Sequence, residues 1–76
     1  MNQTHGTRQY EISHGKKPRG RGNWAIEVTA WRGLGSTTET IFPGPGLTLT
    51  EAREAAVSKM KSEISGLTRI HTEVLP

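Results

Sequence analysis

The chain has 76 residues, with ten Lys and Arg against seven Glu, no Asp, no Cys and a formal charge of +3. That length makes one domain, and a domain this small buries only about 60% of the surface its unfolded chain exposes. The lack of cysteine excludes disulfide staples and thiolate metal sites, and no apolar run approaches the ~18 residues of a membrane span, so a soluble, cytoplasmic protein with no membrane contact is expected.

Met1 to Gly6 is polar and unpatterned and is expected to be a disordered tail, which leaves 7–76 as a single small domain. Thr7 to Ser13 alternates, with Tyr10 and Ile12 on one side, and reads as a first strand with those two facing the core. His14 to Gly22 holds three glycines and Pro18 and reads as a basic hairpin loop between the first strand and the second. Asn23 to Trp31 then alternates strictly: Trp24, Ile26, Val28 and Ala30 on one face, Ala25, Glu27, Thr29 and Trp31 on the other. A period of two carried by β-branched and aromatic residues predicts a half-buried central strand. Arg32 to Ser36 is a glycine-bearing hairpin connection, and Thr37 to Phe42 is a third strand, antiparallel to the second. Phe42 is expected to face the core, or Ile41 if the register lies one residue off.

Pro43-Gly-Pro-Gly46 stops that strand. Thr48 followed by Glu51 fits a capping box, with Thr50 as the alternative cap. Leu49, Ala52, Ala56, Met60, Ile64 and Leu67 recur at spacings of three and four and form one apolar stripe of a helix. The small Ala55 and Ala56 let that helix sit close to a sheet. Gly66 is placed to end it in a left-handed turn. Thr68 to Leu75 alternates again, with Ile70, Thr72 and Val74 on one face, and reads as a fourth strand whose pairing is left open; a right-handed crossover would return it parallel beside the first. The order strand, strand, strand, helix, strand is an α+β fold: an antiparallel sheet of three to four strands with one helix on one face and the other face open.

No enzyme is expected. His5, His14 and His71 lie apart, the glutamates are scattered singly, and there is neither a nucleophile elbow nor a phosphate-cradling glycine loop. No metal or cofactor site is expected either. The densest charge is Lys16-Lys-Pro-Arg-Gly-Arg-Gly22, with four cations in six residues; a glycine-bearing basic loop suits phosphate contact. Its Pro18-Arg-Gly-Arg21 resembles the AT-hook, whose Arg-Gly-Arg lies extended in a narrow A·T-rich minor groove. Here Gly22 stands where that motif closes with a second proline.

Residues 19–60 also carry a resemblance. Gly22-Asn-Trp-Ala-Ile-Glu-Val28, a short hairpin, a strand ending in Phe42, then Thr-x-x-Glu and Ala55-Ala56, resembles the DNA-binding domain of plant ethylene-response factors. The pattern is similar as well to the arm-type domain of phage integrases. Both are three-stranded sheets backed by one helix that lay the exposed sheet face into the major groove. The resemblance implies that Arg19 and Arg21 match the basic residues before the strand, and that Glu27 and Thr29 match outward contact positions. Thr29 stands where the plant family usually has arginine, so contact with the DNA backbone is expected rather than base readout.

Two functions follow as expectations. One is a DNA-binding module in which Lys16, Lys17, Arg19, Arg21 and Arg32 contact phosphates while Thr29 and Trp31 lie on the duplex; four neutralised phosphates give a salt slope of about −3.6. The other is a protein-interaction module, for example a small phage or mobile-element protein that binds a host protein. Glu27 in the middle of the open face repels phosphate and favours this second reading. A free sheet edge also suits recruitment of a partner's strand or of a second copy.

Overall fold

The computed structural model describes residues 2–76. The strand expected at the centre is there as β3 (Ile26–Arg32), and Gly33-Leu34 turns it into β4 (Gly35–Ile41). Gly33 has φ +59° and Leu34 a negative φ, which fits a two-residue hairpin turn with glycine at its first central position. β3 alternates as its sequence does. Ile26, Val28 and Ala30 are buried, while Glu27, Thr29 and Trp31 are half-buried on the opposite face. Ile41 pairs with Ile26 and enters the core, whereas Phe42 lies outside at 71% exposure, so the one-residue alternative holds for this strand.

Two short strands, β2 (Arg21–Gly22) and β5 (Leu47–Thr48), form a separate antiparallel ribbon. β5 runs straight into α2 (Leu49–Glu63), which starts with the expected capping box. Glu51 N–H donates to Thr48 Oγ1 (3.2 Å) and Thr48 N–H to Glu51 Oε1 (2.9 Å), satisfying free donors of the first turn reciprocally. α2 buries Ala52, Ala56, Val57 and Met60 against β3 and the last strand, β6 (Arg69–Val74). Ala52 and Ala56 are fully buried and lack bulk, so the helix backbone sits close to the sheet; Ala55 is exposed. α2 ends at Glu63 with Ile64 extended, and Gly66 takes its left-handed φ of +75° later, in the connection to β6.

β6 enters the middle of the sheet. The strand order is β1-β6-β3-β4, where β1 is Asn2–Gly6. β6 runs antiparallel to β3 and parallel to β1. Ile70, Thr72 and Val74 are buried beneath α2, as their alternation requires. The last strand thus lies parallel beside the first strand of the chain, but that first strand is residues 2–6 and not 7–13.

Three expectations are corrected. Asn2–Gly6 is no disordered tail: backbone pairing with β6 holds it, from Asn2 opposite Arg69 to Gly6 opposite Glu73. Its side chains are exposed up to His5, so no apolar alternation announced it. Thr7 to Ser13 is not a strand. Arg8–His14 is a second helix, α1, closed by Gly15 in a left-handed conformation (φ +70°) whose N–H donates to the Glu11 carbonyl. Tyr10 and His14, four residues apart, stack with ring centroids at 4.1 Å, a meeting that only helical spacing allows. Tyr10 still reaches the core, 5.7 Å from the ring of Trp24, but Ile12 points away at 72% exposure. The basic loop, finally, joins a helix to the β2 ribbon and is not a hairpin.

Candidate functional site

The expected site residues fall into three places. Lys16, Lys17 and Arg19 project from the loop between α1 and β2. All three are exposed, and among the described residues none has a carboxylate within ion-pair distance. Gly20 adopts a left-handed φ of +74°, so Arg19-Gly20-Arg21 turns rather than running extended as an AT-hook does.

Arg21, by contrast, is engaged. Its Nη1 donates to Glu51 Oε1 and to the Gly46 carbonyl, both at 3.0 Å, strapping the β2–β5 ribbon to the N-terminus of α2. Hydrogen bonds from the Thr48 backbone and hydroxyl, reinforced by the charge of Arg21, hold the Glu51 carboxyl below its ordinary range. Trp24 ties the same ribbon to the sheet by donating from Nε1 to the Leu47 carbonyl at 2.7 Å. Arg21 is thereby a structural cation, and its partner carboxylate offsets its charge at the surface.

Thr29 and Trp31 lie on the face that α2 leaves open. The registers set out three rows there. One is Asn2, Arg69, Trp31 and Ser36; the next is Thr4, His71, Thr29 and Thr38; the third is Gly6, Glu73, Glu27 and Thr40. The guanidinium carbon of Arg69 sits 3.8 Å from the centroid of the Trp31 ring. A cation on an aromatic face at such an exposed site contributes about 0.5–1 kcal/mol. In the middle row Thr29 and Thr38 share a hydroxyl hydrogen bond of 3.1 Å. Arg32 lies on the other side of the sheet, its stem beside Gly66. The seven residues of β3 span about 20 Å, so the Lys16–Arg19 loop before the strand and Trp31 near its end do not form one patch.

Sequence reasoning missed Arg69, His71, Glu73 and Thr4. The signal was available for the first three: once Ile70, Thr72 and Val74 face inward, Arg69, His71 and Glu73 must face outward beside β3. Thr4 carried none, since its strand has no pattern. Thr4 Oγ1 lies 2.7 Å from His71 Nδ1, and His71 Nε2 lies 3.1 Å from Glu73 Oε2. Hydroxyl, imidazole and carboxylate stand in the order of a hydrolytic triad. They stand, however, on a sheet face rather than in a cleft, and three hollows of the surface are lined by other residues. Since Thr4 and His71 are direct cross-strand neighbours, the chain of contacts staples β1 to β6.

No family model matches this chain, and neither a curated protein nor a solved structure does. The residues themselves therefore carry the functional argument. The carboxylates are largely occupied. Glu51 holds Arg21, Glu73 holds His71, and Glu39 and Glu63 both hold Lys59, at 2.8 and 2.9 Å. Those bonds, Glu39's first, raise the Lys59 ammonium above its ordinary value. Glu11 accepts from Thr7 Oγ1 at 2.6 Å. The positive charge left without a partner is thus greater at the surface than the formal excess suggests, and it is densest at Lys16 to Arg19. No helix of the described residues is long and apolar enough to cross a membrane.

Proposed function

We propose that this protein is a non-enzymatic binding module of the cytoplasm that grips duplex DNA by its phosphate backbone through Lys16, Lys17 and Arg19. The observation that carries the reading is that these three cations stand exposed and unpaired among the described residues, while five of the seven glutamates, Glu11, Glu39, Glu51, Glu63 and Glu73, are engaged elsewhere. Two left-handed glycines, Gly15 and Gly20, bound the loop that carries them, and a glycine-bearing basic loop suits close approach to phosphates. Arg21 is engaged with Glu51 and Arg32 lies on the helix side of the sheet at the far end of β3, so the interface is smaller than the sequence suggested. Three neutralised phosphates give a slope of log affinity against log salt of about −2.7. Fluorescence anisotropy with a mixed-sequence duplex tests this. Lys16→Glu, Lys17→Glu and Arg19→Glu together should abolish binding, and Trp31→Ala should leave it. Absence of binding by the wild type at ~50 mM salt and micromolar protein would refute the reading.

A second reading, a protein partner on the open sheet face, has its own support. Glu27 and Glu73 are cross-strand neighbours there and repel phosphate, whereas Trp31 with Arg69 offers the aromatic and guanidinium pairing typical of protein interfaces. If that reading holds, Trp31→Ala removes the partner and the loop variants do not.

A further inference from the structure

We propose that β4 is a pairing edge for a second copy of this chain, and that two copies join there about a two-fold axis through Thr38. β4 is the last strand on its side of the sheet, so one row of its backbone groups has no partner within the chain. The hairpin turn closes on the Arg32–Gly35 pair. In an antiparallel ladder the inward-pointing and outward-pointing residues then alternate, so Gly35, Thr37, Glu39 and Ile41 bond to β3, and Ser36, Thr38 and Thr40 turn their N–H and C=O groups outward. Edge strands are ordinarily blunted by lysine, proline, a bulge or an inward charge. Gly35-Ser-Thr-Thr-Glu-Thr-Ile41 has no lysine, proline or bulge; its one charge, Glu39, does face the α2 side, but Lys59 neutralises it there and leaves no bare carboxylate against an incoming strand.

Self-pairing selects its own register. With the axis at Thr38, the two Thr38 residues exchange both backbone bonds, and each Ser36 does so with a Thr40. Glu39 falls opposite Thr37. Moving the axis one residue to Glu39 sets the two carboxylates directly opposite, which destabilises; moving it to Thr37 loses the Thr40 pairing to the hairpin turn. The same Thr38 axis brings Leu34 of each copy level with Phe42 of the other. Among the described residues those are two of the three large apolar side chains left exposed, Leu34 completely and Phe42 at 71%, and they stand at the two ends of this edge. The axis is perpendicular to the sheet, so α2 of both copies covers one face and the open faces merge into one of eight strands.

Sedimentation velocity from about 10 µM to about 1 mM tests the proposal, a range chosen for the weak end of interface strength. The wild type should pass from the mass of one chain to that of two as concentration rises. Thr38→Pro removes an outward N–H that β3 does not use, so it should remain a monomer throughout with an unchanged far-UV spectrum. Thr38→Lys, which sets two ammonium groups across the axis, should also remain a monomer and stands in if the proline variant does not fold. Leu34→Ser with Phe42→Ser should weaken association about tenfold or more. A wild type monomeric over the whole range, a dimer that persists in the Thr38→Lys variant, or association unchanged in the double serine variant overturns the proposal.

Discussion

Thr72 offers the sharpest test of the core. It is 2% exposed, lies between Ile70 and Val74 on β6, pairs with Val28 across the sheet, and its Oγ1 is buried without a hydrogen-bond partner. An unmade hydrogen bond at a buried hydroxyl costs about 1–3 kcal/mol. Thr72→Val replaces that hydroxyl with a methyl group of nearly the same shape, in a strand where valine is favoured, and adds the burial of roughly one carbon. The fit around the new methyl takes back part of this, so a net gain of about 1–2 kcal/mol is expected. For a domain of this size each kcal/mol moves the Tm by about 4–8 °C, which puts the rise at roughly 5–15 °C. Thermal unfolding by far-UV circular dichroism measures it, and urea unfolding should show a higher midpoint with an unchanged slope. Thr72→Ala is the control, since it removes the hydroxyl but leaves a cavity, and it should be less stable than the valine variant. If Thr72→Val is no more stable than the wild type, the hydroxyl is satisfied by a buried water or another group, and the core is not as dry as its geometry implies.

Four further outcomes are expected. Thr48→Ala removes the cap of α2 and should cost about 1 kcal/mol, read as a lower Tm. The same helix end gives the acid response. The Glu51 carboxyl is held below its ordinary value in the fold, chiefly by the Thr48 backbone N–H, so its contribution is complete above that ordinary value and is lost as pH falls through the folded one; Glu51→Gln should therefore lose less stability than the wild type between neutral and acid pH, read by urea unfolding at successive pH values. Arg69→Ala uncovers the Trp31 ring, so acrylamide should quench that tryptophan more readily while the buried Trp24 stays shielded, at a stability cost of about 0.5–1 kcal/mol. A Cβ added at Gly6 would meet the Glu73 carboxylate and push it off His71. Gly6→Ala should be destabilising, and less so in a Glu73→Ala background, with a coupling of about 0.5–1 kcal/mol in the double-mutant cycle; equal cost in both backgrounds would refute the contact.

Where side-chain burial alternates, the sequence was readable. Ile26 to Trp31 and Ile70 to Val74 declare both their strands and their inward faces because each has one wet side and one dry side; Asn23 to Ala25, which continue the alternation, lie before β3. The Thr48–Glu51 box placed the start of α2 to the residue, since capping is local chemistry. What escaped was whatever depends on partners far along the chain. Asn2–Gly6 is a strand only because β6 lies beside it, and its polar side chains say nothing of that. Arg8 to His14 alternates over a stretch too short to separate a period of two from a helical turn, and the Tyr10–His14 stack resolves it toward helix. Of the candidate site, the exposure of Lys16, Lys17 and Arg19 was legible from glycine and charge alone. The diversion of Arg21 to Glu51, of Arg32 to the helix side and of Arg69 onto Trp31 was not, because each follows from strand order and pairing.

The place of β6 between β1 and β3 has a consequence for how the sheet is assembled. Among the described residues, 69–74 supply the only strand neighbour of β1, so a chain emerging in sequence order holds β1 unpaired while some sixty intervening residues are made. The β3–β4 hairpin can zip early from local contacts, but the four-stranded sheet must wait for a closure across the residues between Gly6 and Arg69. Topologies of this kind fold slowly for their size. Until that closure, the edge of β3 that β6 will occupy stands open, with Ile26, Val28 and Ala30 beside it, and the nascent protein is at its most vulnerable to strand pairing with a neighbour.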